Sequence, residues 1–561
     1  MQPVISADQM REIDLLTTRD FQIPSLSLMQ AAAAACFHAI ADHFAGNLAG
    51  KKALVLCGRG NNGGDGAALA LELDGAGVNV EVVLLGLIKE SSGDVRTNLE
   101  LVRQRASREA SSTNPTSFTF AECEGADSFE ALGKPWKTYD LIVDALFGTG
   151  LRRPLAGVVS QLARDLVTAR TNRGLSGEIK PWIVSVDLPS GLSADSGTPI
   201  GDAVSADLTV TFTAPKLANV LPPASHLNGK LVVADIGSPA TLVDAAKSQL
   251  FVTEKEDARQ WLISTRYTAD SFKNTHGHAL VIAGSRGYTG AAVLCGDAAM
   301  RSGAGLVTIA TPASAQSAVA ATAMPEIMTI ALAETDRGAV SDAAIDHVMQ
   351  LIAKATVVAI GPGLTAEDER TRRFVFSVVK ERTVPVVLDA DALNCLSRYS
   401  DNGWPAELRG SDQAPLVLTP HAGEMLRLLG TTDKSALADR VGVARDFATK
   451  HNLILVLKGA RSVVAAPDGR VFINPTGNAG LGTAGAGDTL TGIITGFIAQ
   501  DRATLKQDSD ALVATIAALY IGGLAGDLAA HEIGMRTMVA SDIREHISAA
   551  VRLLDASGEQ P

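Results

Sequence analysis

The strongest constraint on this chain is a recurring pattern. Short runs of β-branched and aliphatic residues, apolar on both faces, alternate with glycine turns and alanine-rich amphipathic stretches. The runs stand at 53–57, 80–85, 141–147, 183–187, 208–213 and 231–235, and again at 279–283, 306–310, 356–360, 385–389 and 453–457. A strand apolar on both sides must be covered on both sides, and parallel sheets achieve this with the helices of βαβ crossovers. The alternation predicts an α/β chain of stacked βαβ units. No short repeat period is visible, which excludes a solenoid.

A chain of 561 residues is too long for one core. A boundary is expected at 237–248, where the run 231–235 ends in Gly237-Ser238-Pro239 and a charged helical segment, 254–262, opens a fresh series. The expected domains are 1–238 and 250–555. Segments 103–116 and 170–180 read as polar surface insertions, and 557–561 as a frayed tail.

Lysine and arginine number 49 against 61 acidic residues, a net charge of −12. That balance lacks the basic footprint of a nucleic-acid binder, and an aromatic content of 4% offers few stacking platforms. Small anionic ligands stay open, because oriented backbone N–H groups bind phosphate locally. The cysteines Cys36, Cys57, Cys123, Cys295 and Cys395 are odd in number and form no CxxC pair. A zinc site and a disulfide framework are therefore not expected, and a reducing, cytoplasmic setting is. The alanine run 31–35 is followed at once by His38, Asp42 and His43, and reads as a buried helix rather than a signal segment. No eighteen-residue apolar stretch stands out, so no membrane span is expected.

Two glycine-rich segments carry the chemistry. The first, Gly58-Arg59-Gly60-Asn61-Asn62-Gly63-Gly64-Asp65-Gly66, follows a strand and precedes a helix expected at 67–73. Strand, glycine loop and helix make an anion-binding layout. Gly58, Gly60 and Gly63 match GxGxxG, but the next strand, 80–85, ends in Gly86-Leu87-Ile88 without the acidic residue of a dinucleotide reader. Hydride transfer is demoted accordingly. Two further strand ends carry Asp144, followed by Gly148-Thr149-Gly150-Leu151-Arg152-Arg153-Pro154, and Asp187-Leu188-Pro189-Ser190-Gly191. Both aspartates are expected at the ligand crevice beyond the strand ends, although each also reads as a turn residue. With the asparagine pair they make an all-oxygen site, better suited to a hard cation than to zinc.

These three segments together resemble the NAD(P)H-hydrate epimerase family over nearly the whole first domain. The resemblance implies a Rossmann-like three-layer sandwich and a K⁺ ion with Asn62, Asp144 and Ser190 as side-chain ligands. It implies substrate contacts from Asn61, Asn62, Gly63, Gly64, Asp65, Gly148, Thr149, Gly150, Leu151, Arg152, Arg153, Pro154 and Asp187. Asp187 is the candidate for moving protons at the substrate hydroxyl.

The second segment, Gly477-Asn478-Ala479-Gly480-Leu481-Gly482-Thr483-Ala484-Gly485-Ala486-Gly487-Asp488, precedes a helix expected at 489–498 and lacks the lysine of a Walker loop. Its small residues let backbone N–H groups surround a phosphoryl group, and Asp488 can take a proton from an attacking hydroxyl. Asp488 also reads as an N-cap. Four other strand ends keep it company: Gly361-Pro362-Gly363-Leu364, Asp389-Ala390-Asp391-Ala392, Thr419-Pro420-His421-Ala422-Gly423-Glu424 and Lys458-Gly459-Ala460-Arg461-Ser462.

This set resembles the ribokinase-like superfamily, and within it the nucleotide-dependent NAD(P)H-hydrate dehydratases, over nearly all of 254–551. His421 favours the dehydratase over sugar and vitamin kinases, which commonly show an asparagine there. Departures are Phe272 and the pair Gly522, Gly523, where the family often has histidines. The resemblance implies a C-terminal ribokinase-like α/β domain. Substrate contacts would come from Ala291, Gly363, His421 and Asp488. Nucleotide contacts would come from Lys458, Gly459, Ala460, Arg461, Ser462 and Gly487. Mg²⁺ is expected with an ADP or ATP phosphate donor, and Glu424 as that ion's outlying organiser. The substrates implied are the hydrates of NADH and NADPH, and a homo-oligomer is expected. The alternative reading is a vitamin or sugar kinase with a non-catalytic N-terminal domain.

Overall fold

The computed structural model describes residues 1–110, 118–125, 136–176, 181–399 and 403–555. They divide into two units, Pro3–Ser248, and Gln249–Pro561 together with Met1–Gln2. Each apolar run singled out above coincides with or overlaps a strand.

The N-terminal unit is built on a seven-stranded parallel sheet: β1 (Lys52–Cys57), β2 (Asn79–Leu85), β3 (Phe118–Cys123), β4 (Leu141–Ala145), β5 (Trp182–Val186), β6 (Leu208–Phe212) and β7 (Lys230–Ala234). Their order is β3-β2-β1-β4-β5-β6-β7. Strand order reverses between β1 and β4, and it is at such a switch point that the crevice of an open α/β sheet lies. Both faces are covered, as the apolar runs require. Ala53, Val55 and Cys57 of β1 pack with α1 (Ser25–His43), α2 (Asn61–Gly75) and α3 (Gly93–Ala110). Leu54 and Leu56 point the other way, onto Leu162 and Leu166 of α4 (Gly157–Ser176). The alanine run 31–35 lies within α1, whose buried face is Leu28, Met29, Ala32, Ala33, Cys36 and Ile40.

The C-terminal unit carries β8 (Leu250–Val252), β9 (His278–Ile282), β10 (Leu306–Pro312), β11 (Met328–Leu332), β12 (Val357–Ile360), β13 (Val386–Leu388), β14 (Leu416–Leu418), β15 (Ile454–Leu457), β16 (Val463–Ala465) and β17 (Val471–Ile473). With the edge strand Gln2–Pro3 they form an eleven-stranded sheet, ordered from that edge β8-β17-β16-β15-β14-β13-β12-β9-β10-β11. Strands β9 to β15 run parallel; β16 is antiparallel to both its neighbours. The order reverses between β9 and β12. Residues Ala279 and Val281 face a core with α5 (Thr289–Arg301), α6 (Ala486–Leu505), α7 (Ala511–Ile533) and α8 (Ala540–Asp555).

Several expectations are corrected. Residues 103–110 continue α3 and 170–176 continue α4, so these parts are helix rather than insertion. The polar residues at 103, 104, 107, 108, 171 and 172 lie on the solvent side of these long helices, and few apolar positions betray the period. The remainder of both segments, 111–116 and 177–180, lies outside the described residues, as does the tail 557–561. Among the described residues one helix, Ala511–Ile533, is long and apolar enough to cross a membrane. It is a core helix here: Ala514, Ala518, Ile521 and Ala525 are fully buried within the C-terminal unit.

Candidate active sites at two sheet rims

In the N-terminal unit the glycine segment is mostly helix. Helix α2 begins at Asn61, not at residue 67, so Asn61, Asn62, Gly63, Gly64 and Asp65 form its first turns and only residues 58–60 make the loop. The early start needs glycine: a Cβ on Gly63 would collide with the carbonyl oxygen of Gly58. The N–H groups of this first turn have no acceptor within the helix and face the switch-point crevice.

Asp144, at the end of β4, is completely buried. Its oxygens accept from Ser185 Oγ at 2.8 Å, Ser190 N at 2.8 Å and Ser190 Oγ at 2.6 Å. Burial pushes its carboxyl above the usual range, against the pull of those hydrogen bonds. Among the described residues its partners are hydroxyl and amide groups, with no lysine or arginine. Ser190 Oγ also accepts from Phe147 N at 2.9 Å. Asn62 is buried, and its Nδ2 finds no partner among the described residues.

Asp187 follows β5 in the left-handed region, at φ 65°. Its Oδ2 accepts from Thr149 N at 3.0 Å. A Cβ on Gly148 would lie 2.7 Å from that oxygen and 3.0 Å from Asn62 Oδ1, so Asn62, Gly148 and Asp187 converge. Gly150, Arg152, Arg153 and Pro154 are exposed, with Leu151 half-buried beside them. Arg152 pairs with Asp8 at 2.7 Å. Asp65 and Asp14 belong to the same acidic surroundings. Burial and then Asp187 push Asp65 well up; burial takes Asp14 to about 6, with Lys216 opposing. Neither Lys216 nor Asp14 was read as a site residue from sequence. The only signal for Lys216 was a lysine just beyond an apolar strand.

In the C-terminal unit the expected strand ends share one rim, because the strands that precede them are parallel. At the switch point Gly284 N donates to Pro362 O at 2.8 Å and Ser285 Oγ to Gly363 O at 2.7 Å. Gly363 and Ala291 meet there: a Cβ on Gly363 would lie 3.0 Å from that of Ala291. Helix α6 begins at Ala486 with Gly485 as its cap, so Asp488 lies in the first turn and is not the N-cap expected. Gly485 has φ 84°, and a side chain there would strike Leu294.

Asp389 is almost completely buried. It accepts from Lys458 Nζ at 2.7 Å and from Thr491 Oγ1 of α6 at 2.8 Å. A Cβ on Gly487 would lie 3.3 Å from Lys458 Nζ. Burial works against the Lys458 ammonium, but Asp389 and Glu424 outweigh it and raise it. Burial, then the charge of Asp389, pushes Asp488 up to about 7, with Lys458 opposing. His421 caps the helix Ala422–Leu428: Nδ1 accepts from Gly423 N and Glu424 N, while Glu424 Oε2 accepts from His421 N at 2.8 Å. An acceptor Nδ1 leaves the hydrogen on Nε2. Burial, Lys458 and Arg427 lower the imidazole, and burial pushes Glu424 up to about 7. The nucleotide segment is tied to this group through Lys458 N, which donates to Pro420 O at 2.9 Å. Its turn is held by Arg440, which donates to the carbonyls of Ala460 and Arg461 at 3.0 and 3.3 Å. Arg440 had no signal in the sequence. Ser462 Oγ lies 3.5 Å from Gly459 O.

Each unit therefore defines an α/β enzyme domain with small residues and a helix N-terminus at the rim of a parallel sheet. The second adds a poised carboxylate beside a lysine, the equipment of phosphoryl transfer. Residues 279–549 match the family model described as NAD(P)H-hydrate dehydratase, and 25–218 that described as YjeF-related protein N-terminus. The bifunctional NAD(P)H-hydrate repair enzyme Nnr of Moorella thermoacetica is 38% identical over 99% of this chain and 98% of that protein. That of Salinibacter ruber is 37% identical over 97% and 95%. The crystal structure of an ADP/ATP-dependent NAD(P)H-hydrate dehydratase from Bacillus subtilis, co-crystallized with ATP/Mg²⁺, is 30% identical. It covers 54% of this chain and 98% of its own, with a TM-score of 0.45. The chain belongs to the family of bifunctional NAD(P)H-hydrate repair enzymes.

Proposed function

We infer that this enzyme repairs hydrated nicotinamide nucleotides in two steps, epimerisation in the N-terminal unit and nucleotide-dependent dehydration in the C-terminal unit. A single observation carries the reading: the likeness to bifunctional repair enzymes runs through both rims described above.

Hydrated NAD(P)H bears a hydroxyl on C6 of its reduced ring, and hydroxide leaves poorly. Asp488 takes the hydroxyl proton as that oxygen attacks the terminal phosphorus of ADP or ATP, and the bond to the leaving nucleotide breaks. The N–H groups of residues 484–487 receive the charge on the transferring group. The ring nitrogen's lone pair then expels phosphate from C6, and loss of a proton from C5 restores the dihydronicotinamide. With ADP the products are AMP, phosphate and NAD(P)H. Lys458 and the turn that Arg440 holds support the nucleotide phosphates, and the Nε2–H of His421 is a donor for the substrate. The acidic groups Asp389, Glu424 and Asp488 suit a Mg²⁺ that enters with the phosphates, where it would neutralise their charge.

Dehydration acts on one epimer, the S form, and the N-terminal unit supplies it from R. Asp187 takes the proton of the C6 hydroxyl as the C6–N1 bond breaks and C6–O becomes a carbonyl, the nitrogen taking up a proton; attack of that nitrogen on the other face of the carbonyl re-forms the bond and the hydroxyl with C6 inverted. A K⁺ ion held by Asn62, Asp144 and Ser190 fits one feature of that unit: Asp144 is a buried carboxylate among neutral donors, which a monovalent cation would balance. The buried thiols of Cys36, Cys57, Cys295 and Cys395 support a reducing, cytoplasmic setting.

The test is regeneration of NADH absorbance by the purified protein from a mixed R and S hydrate, with ADP or ATP. No NADH, together with phosphorylation of a vitamin or sugar alcohol, would instead make this a plain kinase.

A further inference from the structure

We propose that Lys216 is the positioning residue for Asp187: its ammonium holds Oδ1 and so presents Oδ2 to the substrate side of the N-terminal site. The proposal rests on the reading of Asp187 as the group that moves the proton.

The Lys216 side chain is sealed from solvent, so it cannot itself serve a substrate. Each ammonium hydrogen has one acceptor: Asp187 Oδ1 at 2.8 Å, Thr211 Oγ1 at 2.8 Å and Phe212 O at 3.0 Å. Thr211 in turn donates its hydroxyl to Asp187 Oδ1 at 3.0 Å. Oδ1 is thus held twice, from β6 and from the residue that caps the short helix Leu217–Val220. Oδ2 has the opposite surroundings. It accepts one backbone N–H, from Thr149, and faces Gly148, where even a methyl group would press on it.

The two oxygens are therefore sorted, one by a fixed cation and one towards the loop expected to touch the nucleotide. The backbone is held to match. Asp187 keeps a left-handed conformation, costly for a residue with a side chain, and its N–H is tied to Val210 O at 2.7 Å. Stability gives no reason for such an arrangement, because an apolar pair of similar volume commonly does as well as a buried ion pair. Charge balance gives one. Burial pushes Asp14 and Asp65 up, and of these three carboxylates it is that of Asp187 to which the Lys216 ammonium is bonded.

The experiment is steady-state R-to-S exchange on the full-length protein with the variants Lys216→Met, Thr211→Val and Asp187→Asn, each checked by thermal melting. A group that only fixes a reacting atom's position is worth about 10²-fold. Lys216→Met should lower kcat by about that factor with KM within about threefold of wild type, whereas general loosening of the unit would raise KM. Thr211→Val, which keeps the ammonium and removes one of the two donors, should lower kcat by a smaller factor, again without a change in KM. A folded Lys216→Met with wild-type kcat overturns the proposal. If that variant does not fold, an unchanged kcat in Thr211→Val overturns it. Wild-type exchange in Asp187→Asn would sink the reading of Asp187 itself. Loss there with retention in Lys216→Met would sink the role of Lys216 alone.

Discussion

Lys458 and Asp389 meet at 2.7 Å behind Gly487, joining the ends of two parallel strands beneath the helix that carries Asp488. Thr491 of that helix binds the other oxygen of the same carboxylate at 2.8 Å. The pair thus sets where the phosphoryl loop sits and how much negative charge Asp488 feels.

Breaking one side of a buried pair leaves an unmatched charge and costs about 3–5 kcal/mol. Lys458→Met and Asp389→Ala are each expected to lower Tm and to abolish dehydration. The double variant Asp389→Asn, Lys458→Met should recover part of the Tm and none of the activity. Melting curves and NADH regeneration check both halves.

Asp488 must be ionised to act as a base, and it is pushed up to about 7. Dehydration should therefore fall as pH drops below about 7. Stability runs the other way. A carboxyl raised on folding binds its proton more tightly in the folded state, so its contribution is present at acid pH and lost as pH rises through about 7. Asp488→Asn should lower dehydration by at least about 10²-fold while nucleotide still binds. It should also raise Tm more at pH 8 than at pH 5, with Glu424 keeping part of the dependence. Near wild-type turnover would remove Asp488 from the role.

If the two units act in series, the wild type consumes both epimers completely. Asp187→Ala should consume S promptly and leave R to slow spontaneous exchange. Chromatography of the two hydrates over time checks this, and equal rates in the variant would refute an epimerase role.

The potassium proposal predicts that R-to-S exchange drops after exhaustive dialysis into buffer free of Na⁺ and K⁺. It should return with KCl and not with choline chloride. Asp144→Asn, which removes the charge and keeps an acceptor, should lose that response. Exchange indifferent to K⁺ would leave Asp144 as a hydrogen-bonding residue only.

The apolar runs were legible because a strand buried on both faces has a local signature, and the glycine segments because close backbone approach admits little else. Gly63, Gly485 and Asp488 could be picked out on those grounds. The helix starts could not: glycine is a poor helix former, yet α2 begins at Asn61, because the switch-point crevice fixes where the chain turns. Orientation was also out of reach. Asp144 and Asp187 look alike as strand-end aspartates, but one is bonded to Ser185 and Ser190 and the other to Thr149 N–H and Lys216.

By itself, then, the sequence determined the α/β class, the strands at both rims and the small residues that line them, since each follows from properties of a few consecutive residues. The tertiary structure alone decided the pairs Lys216–Asp187 and Lys458–Asp389, the hold of Arg440 on the nucleotide turn and the raised carboxyls of Asp488 and Glu424. Those depend on which distant residues share a buried space, and on how little water is left there to screen them.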